Sequence, residues 1–201
     1  MRKQTILASL AALGFAGPAL ATEGFSYSFV EVGWVNQEFD DLDVDADGPG
    51  IRASVELTPA FHLFGSYSDQ DFDVGSGNDL NGESLSLGAG YAWSLNPTVD
   101  LVGNVAYLRE ELEAQLAGGG GGSAEDDGLG VGGYVRARPI EQLELTGGLS
   151  YVDFDEGGDD TFFNAGARYF FTKQFAVGLD VTLNSDTTAF ILGGRFNFGA
   201  R

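Results

Sequence analysis

Three sets of residues have the types and spacings to do chemistry. Asp43-Val44-Asp45-Ala46-Asp47-Gly48 alternates carboxylates and then supplies a glycine, the first half of a calcium loop. The twelfth position of such a loop would be Ser54 and not a bidentate glutamate, so Asp43, Asp45 and Asp47 are expected to form an acidic loop tip with weak divalent binding at most. His62 is the only histidine, so any mechanism that needs an imidazole must use it. It stands between Phe61 and Leu63 with no serine and aspartate spaced to suggest a triad. The third set is a group of opposite charges: Glu31, Arg52, Glu56, Arg136, Glu144, Arg168, Asp180 and Arg195. Gathered in one place, these would pair with one another or, around an open passage, select ions. Gly118–Gly122 lacks the lysine and Ser/Thr of a phosphate loop and reads as a flexible loop tip. Cysteine is absent, which removes disulfides and thiolate metal sites, and no cofactor motif is present.

The elements that must position these residues are strands. Alternation of apolar and small polar residues gives ten segments, at approximately Phe25–Glu38, Gly50–Thr58, Phe61–Asp71, Glu83–Trp93, Thr98–Arg109, Gly128–Arg138, Leu143–Phe154, Thr161–Phe171, Phe175–Asn184 and Thr188–Phe198. In the clearest of them, Leu85, Leu87, Ala89, Tyr91 and Trp93 alternate with Ser84, Ser86, Gly88, Gly90 and Ala92. The connections also alternate. Pro59-Ala60, Ser94–Pro97, Pro139–Gln142 and Thr172–Gln174 are tight. Phe39–Pro49, Phe72–Gly82, Glu110–Asp127 and Asp155–Asp160 are longer, acidic and glycine-rich, and Ser185–Thr187 is a short member of the same set. Within the third of these, Leu108–Ala117 has the composition for a turn or two of helix. An even strand count, short turns at one end and long loops at the other describe an all-β, antiparallel up-and-down barrel of the outer-membrane type. Eight strands is the alternative if the last hairpin is misassigned.

Composition separates a membrane barrel from a soluble one. The chain carries 10 Lys+Arg against 30 Asp+Glu, a net charge of −20, which repels phosphate backbones and argues against nucleic acid as a partner. Arg2 and Lys3, the apolar run from Thr5 to Phe15, Gly17-Pro18 and then Ala19-Leu20-Ala21 have the form of a cleaved signal peptide over residues 1–21, leaving one barrel domain over 22–201. The polar faces of the strands are mostly Gly and Ser, and the only lysine after Lys3 is Lys173, in a tight turn. A water-facing wall would favour longer charged side chains. Trp34, Tyr67, Tyr107 and Tyr151 fall toward the loop ends of their strands, and Tyr91, Trp93, Tyr169, Phe196 and Phe198 toward the turn ends. Two aromatic girdles around an apolar band mark the two interfaces of a bilayer. The expected location is the outer membrane of a Gram-negative bacterium.

On that assignment the eight charges face the lumen, with Glu31 close to Arg195 across the seam between first and last strands. Gly and Ser around them leave room for arginines to cross. A barrel this narrow is mostly filled by its own side chains, so a hydrogen-bonded plug is favoured over an ion-selective constriction. His62 is expected beside the turn at the periplasmic interface, the wrong end for enzymes that work on the outer leaflet. The chain is therefore read as a non-enzyme.

Glu23–Glu31 (EGFSYSFVE), Phe61–Tyr67 (FHLFGSY) and Asp100–Tyr107 (DLVGNVAY) resemble one group of small Gram-negative outer-membrane barrels, those described as controlled by a diffusible signal factor. The resemblance covers much of the chain after residue 21, rests on strand motifs, and implies location and fold without catalytic residues. The run Gly118–Gly122 and the tail Gly199-Ala200-Arg201 after Phe198 depart from that pattern. The function expected is a structural and surface-interaction role through acidic extracellular loops. Its partners would be outer-membrane lipid and lipopolysaccharide, the outer-membrane assembly machinery, and a host or neighbouring-cell surface. A narrow, porin-like passive pore is the alternative.

Overall fold

The two-residue period is realised as ten antiparallel strands. They are β1 (Phe29–Phe39), β2 (Val44–Glu56), β3 (Phe61–Phe72), β4 (Asp79–Asn96), β5 (Val99–Gln115), β6 (Gly121–Ile140), β7 (Leu143–Phe154), β8 (Gly158–Phe170), β9 (Phe175–Leu183) and β10 (Thr187–Asn197). The computed structural model describes residues 25–39, 44–74 and 78–198; the leader, Asp43 and the Gly199-Ala200-Arg201 tail lie outside them. Each strand pairs with its neighbours in sequence, and β1 pairs with β10, so the sheet closes. Closure leaves no open edge, the condition for a sheet to cross lipid. In the closing seam Glu31 faces Arg195 and Gly33 faces Gly193.

Alternation then sets the two faces. Val32, Leu87, Leu129, Leu149 and Leu192 are each more than half exposed on the outer wall. A wall of that character costs free energy in water and is at home only in lipid. Both sets of aromatics lie on the same wall, Trp34, Tyr67, Tyr107 and Tyr151 toward one end, Tyr91, Trp93, Tyr169, Phe196 and Phe198 toward the other. At the first end, Trp34 Nε1 donates to Asp47 Oδ2 at 2.9 Å and the Tyr107 hydroxyl donates to Asp127. Each of these rings thus spends its polar group on an acid of the next strand, as an interfacial ring must.

The connections differ from the sequence expectation at the extracellular end. There the strands continue where loops were expected. β4, β5 and β6 run 18, 17 and 20 residues, against roughly 9–11 for a tilted strand crossing the hydrocarbon. Residues 44–49 belong to β2, and the proposed helical turn at Leu108–Ala117 is mostly β5. The outer face of these extensions is polar, with Asp45, Asp47, Glu113 and Glu125 exposed, so the apolar outward alternation that marks a lipid-spanning strand fades while the hydrogen-bonded ladder continues. The glycine run lies at the tip of a hairpin. Gly119 and Gly120 have φ of 79° and 111°, the left-handed region that a glycine enters without steric cost. The Leu116 N–H donates to Gly120 O and the Gly119 N–H to Leu116 O, both at 3.0 Å. The run closes the β5–β6 hairpin.

Candidate functional site

The lumen is where the polar chemistry collects. Glu31 on β1 is its hub. Arg195 Nε donates to Glu31 Oε2 at 2.6 Å, Arg168 donates through Nε to Oε2 at 3.0 Å and through Nη2 to Oε1 at 3.2 Å, and Arg52 Nη1 lies 3.4 Å from Oε1. Asp180 is shared by Arg168 and Arg52. Glu144 takes Arg136 Nη2 at 2.8 Å and Arg138 Nη2 at 3.2 Å, with Arg195 Nη1 3.7 Å away. Seven of the eight candidate charges, joined by Arg138, therefore form one continuous network. Glu56 sits partly buried at the periplasmic end of β2, opposite His62 in the β2–β3 register. Arg138 had been overlooked, although it shares the inward parity of Arg136 two residues earlier.

Glycines create the space for these long side chains. A Cβ at Gly178 would come within 2.5 Å of Arg168 Cγ, and one at Gly166 would overlap the Asp180 carboxylate. Both glycines are direct cross-strand partners of the side chain they admit.

Below the network the periplasmic mouth is crossed by the segment Phe25–Ser28. It leaves β1 and reaches the opposite wall: Ser26 O accepts from Arg136 Nη1 at 3.3 Å, and the Tyr27 hydroxyl donates to Asp100 Oδ2 at 3.3 Å. The guanidinium of Arg136 lies 4.8 Å from the ring centroids of both Phe25 and Tyr27, and Arg138 lies 4.8 Å from Phe25. Cations over aromatic faces, out of water, hold such a strap firmly. In sequence these residues read as the start of the first strand, whereas β1 begins at Phe29.

His62 also differs from expectation. It is not at the interface but inside the lumen, 1% exposed, with its ring 4.8 Å from that of Tyr27. Gly90 lies opposite it on β4, and a methyl there would overlap the imidazole. The flat ring fills the mouth beneath the strap.

The acidic run is likewise placed elsewhere. Asp45 and Asp47 point outward from β2, with Asp47 engaged by Trp34. Gly48 makes no turn: it lies in the strand, pressed against the backbone of Asp69 on β3. From Val44 onward, half a calcium loop in sequence is a strand in space. Among the described residues, no group of three or more His, Cys, Asp or Glu side chains converges as a metal centre. None of their helices is long and apolar enough to cross a membrane, and the strands do the crossing instead.

Apolar layers complete the filling. Phe64, Ala106, Leu108, Val152, Phe154 and Phe162 pack inside the barrel, and Phe39, Ala46, Phe72 and Leu112 form a separate cluster at its extracellular end.

Similar architectures are known. The NanC porin matches with a TM-score of 0.54 at 9% identity, covering 84% of this chain and 100% of that one. The translocator domain of the autotransporter NalP from Neisseria meningitidis matches with a TM-score of 0.52 at 12% identity, covering 98% and 94%. Ail, the attachment invasion locus protein of Yersinia pestis, has a TM-score of 0.47 at 15% identity, covering 85% and 99%. At such identities the likeness shows the fold alone. No curated protein matches the chain significantly. The family model of the outer membrane protein beta-barrel domain matches residues 7–199, and with the closed ten-stranded barrel described above, the chain belongs to that family.

Proposed function

We propose that this protein is a non-conducting outer-membrane barrel whose role is exerted by its extracellular hairpins. One observation carries the reading: Glu31, Glu144 and Asp180 are bound to five arginines across the lumen, above a mouth strapped by Phe25–Ser28. A buried charge persists only when paired, and a network of paired charges across the lumen opposes the passage of a hydrated ion.

The working surface is then the set of hairpins beyond Trp34, Tyr67, Tyr107 and Tyr151. It is acidic, with Asp45, Asp47, Glu113, Glu125, Asp153 and Asp159 exposed. Its nearest partner is lipopolysaccharide, whose phosphates would approach these acids through shared divalent cations, and beyond it the surface of a neighbouring or host cell. Residues 1–21 serve as the cleaved export signal, and the outer-membrane assembly machinery inserts the barrel. The motifs at Glu23–Glu31, Phe61–Tyr67 and Asp100–Tyr107 support placing it among the diffusible-signal-factor-controlled barrels. The proposed role needs no catalysis and no cofactor.

Planar-bilayer recording on refolded protein tests this reading, with silence expected over the usual voltage range. Stable, well-resolved openings in the unaltered protein would replace it with a narrow porin-like pore. Shortening the β5–β6 hairpin beyond Arg109 and Asp127 should weaken cell-surface attachment or biofilm formation while the barrel still folds.

A further inference from the structure

Above the arginine network the lumen carries a second polar layer. Its position follows from the apolar cluster over it. Phe39 on β1 and Phe72 on β3 stack with centroids 5.6 Å apart, and Leu112 on β5 joins them. Two positions nearer the membrane on each of these strands stand Gln37, Gln70 and Glu110. Residues two apart on a strand share a face, so Gln37, Gln70 and Glu110 face the lumen beneath Phe39, Phe72 and Leu112. Asp126 completes the layer as the cross-strand partner of Glu110 on β6. Gln37, Gln70 and Glu110 are 0% exposed and Asp126 is 3% exposed.

The hydrogen bonding of this layer is largely incomplete. Glu110 Oε1 accepts from Ser84 Oγ at 2.8 Å, and Asp126 Oδ1 accepts from the Glu156 N–H at 3.1 Å. Glu110 Oε2, Asp126 Oδ2, both amide oxygens and both amide nitrogens are buried without a partner. Among the described residues, no arginine or lysine forms an ion pair with either acid; every lumenal arginine is committed to the network below. Two adjacent carboxylates out of water, each with one oxygen unanswered, are relieved either by a cation or by taking up protons. Gln70, 0% exposed and with its amide oxygen unpartnered, brings a neutral oxygen donor to the same layer.

We propose that this layer binds one divalent cation of the calcium class, held by Glu110 and Asp126 with the amide oxygen of Gln70. The donors are all hard oxygens, the kind calcium takes in sets of 6–8 at flexible geometry. Two carboxylates match its charge. Magnesium, which demands a near-ideal octahedron and keeps its waters, fits a crowded layer less well. Phe39, Phe72 and Leu112 roof the site, and enclosed waters complete the coordination. The site is separate from Asp45 and Asp47, which face outward on β2.

The test uses the full-length barrel, refolded in detergent without lipopolysaccharide and stripped with EDTA. Calcium chloride is titrated by calorimetry, and thermal unfolding is followed with and without it. Calcium should raise the unfolding midpoint of the unaltered protein. Glu110→Gln and Asp126→Asn should abolish that rise, whereas Glu113→Gln, which removes an exposed acid, should keep it. Should the carboxylate variants fail to fold, Gln70→Leu retains both acids and should weaken calcium by about 10-fold or more, the scale of losing a group that supports a metal site. An equal rise in the unaltered protein and Glu110→Gln would assign the effect to the outer acids and overturn the site. Absence of a calcium response, with Glu110→Gln more stable than the unaltered protein, would overturn it in favour of two acids sharing protons. Unchanged affinity in Gln70→Leu would overturn the amide ligation.

Discussion

Arg168 on β8 grips Glu31 on β1 with two nitrogens, Nε to Oε2 at 3.0 Å and Nη2 to Oε1 at 3.2 Å. Two strands, β9 and β10, separate them along the wall. The pair spans the lumen as a forked bond, the strongest geometry an arginine and a carboxylate can adopt. Because Arg52 and Arg195 converge on the same carboxylate, the network has a hub and its members are not equivalent.

Unequal membership gives the first prediction. Glu31→Ala should cost about 3–5 kcal/mol, the usual penalty for leaving buried partners unpaired. Arg195→Ala should cost less, because Glu31 keeps Arg168 and Arg52 and Glu144 keeps Arg136 and Arg138. Denaturant unfolding in micelles measures both. Equal costs would mean that the hub has no special standing.

The glycines give a second prediction with an internal control. A side chain at Gly178 must push the Arg168 stem aside, whereas nothing lies within 4 Å of a Cβ built at Gly194. Gly178→Val should destabilise the barrel by roughly 1–3 kcal/mol, as overpacking does. Gly194→Ala should leave the unfolding midpoint nearly unchanged. Comparable losses at the two positions would show that glycine serves backbone flexibility here and not side-chain room.

Much of this arrangement could be read from the residues, and the losses have physical causes. Period-two alternation assigned inward and outward faces within the lipid span, because there lipid rewards one face and the lumen the other. That logic found Glu31, Arg168 and Arg195. It stops at the aromatic girdle, beyond which Glu110 and Asp126 read as loop residues. Yet Leu108, Glu110 and Leu112 keep the inward parity of β5, a signal masked by the acidic neighbours Glu111 and Glu113. The strap escaped for another reason: Phe25 and Tyr27 continue the alternation of β1, and nothing local reveals that their segment turns across the mouth toward Arg136 on β6. Asp45 and Asp47 matched a calcium loop because a strand also alternates its carboxylates.

Closure gives a third prediction. The β1–β10 register runs unbroken from Phe29–Asn197 to Phe39–Thr187, so every strand has two neighbours and no ladder edge is offered to detergent. Unboiled protein should migrate differently from boiled protein on an SDS gel. Identical mobility would count against a closed barrel.

The fourth prediction concerns conductance, and it separates the two closures of the lumen. The strap Phe25–Ser28 blocks only the periplasmic mouth, held by Arg136 and Arg138 on the opposite wall. The ion network lies deeper and is anchored by Glu31, Asp180 and Glu144. A chain whose folded part begins at Phe29 should lose the strap and yet remain silent in a planar bilayer. Glu31→Ala alone should admit water but leave the mouth crossed, giving at most brief, flickering currents. The two changes together should open a continuous path, with sustained steps favouring anions, because Arg52, Arg168 and Arg195 would then line the passage without their shared carboxylate. If shortening the chain to Phe29 is sufficient for stable conduction, the arginine network is no barrier and the strap alone closes the barrel. If the double change stays silent, the apolar layers around Phe64 and Phe39 form the decisive seal.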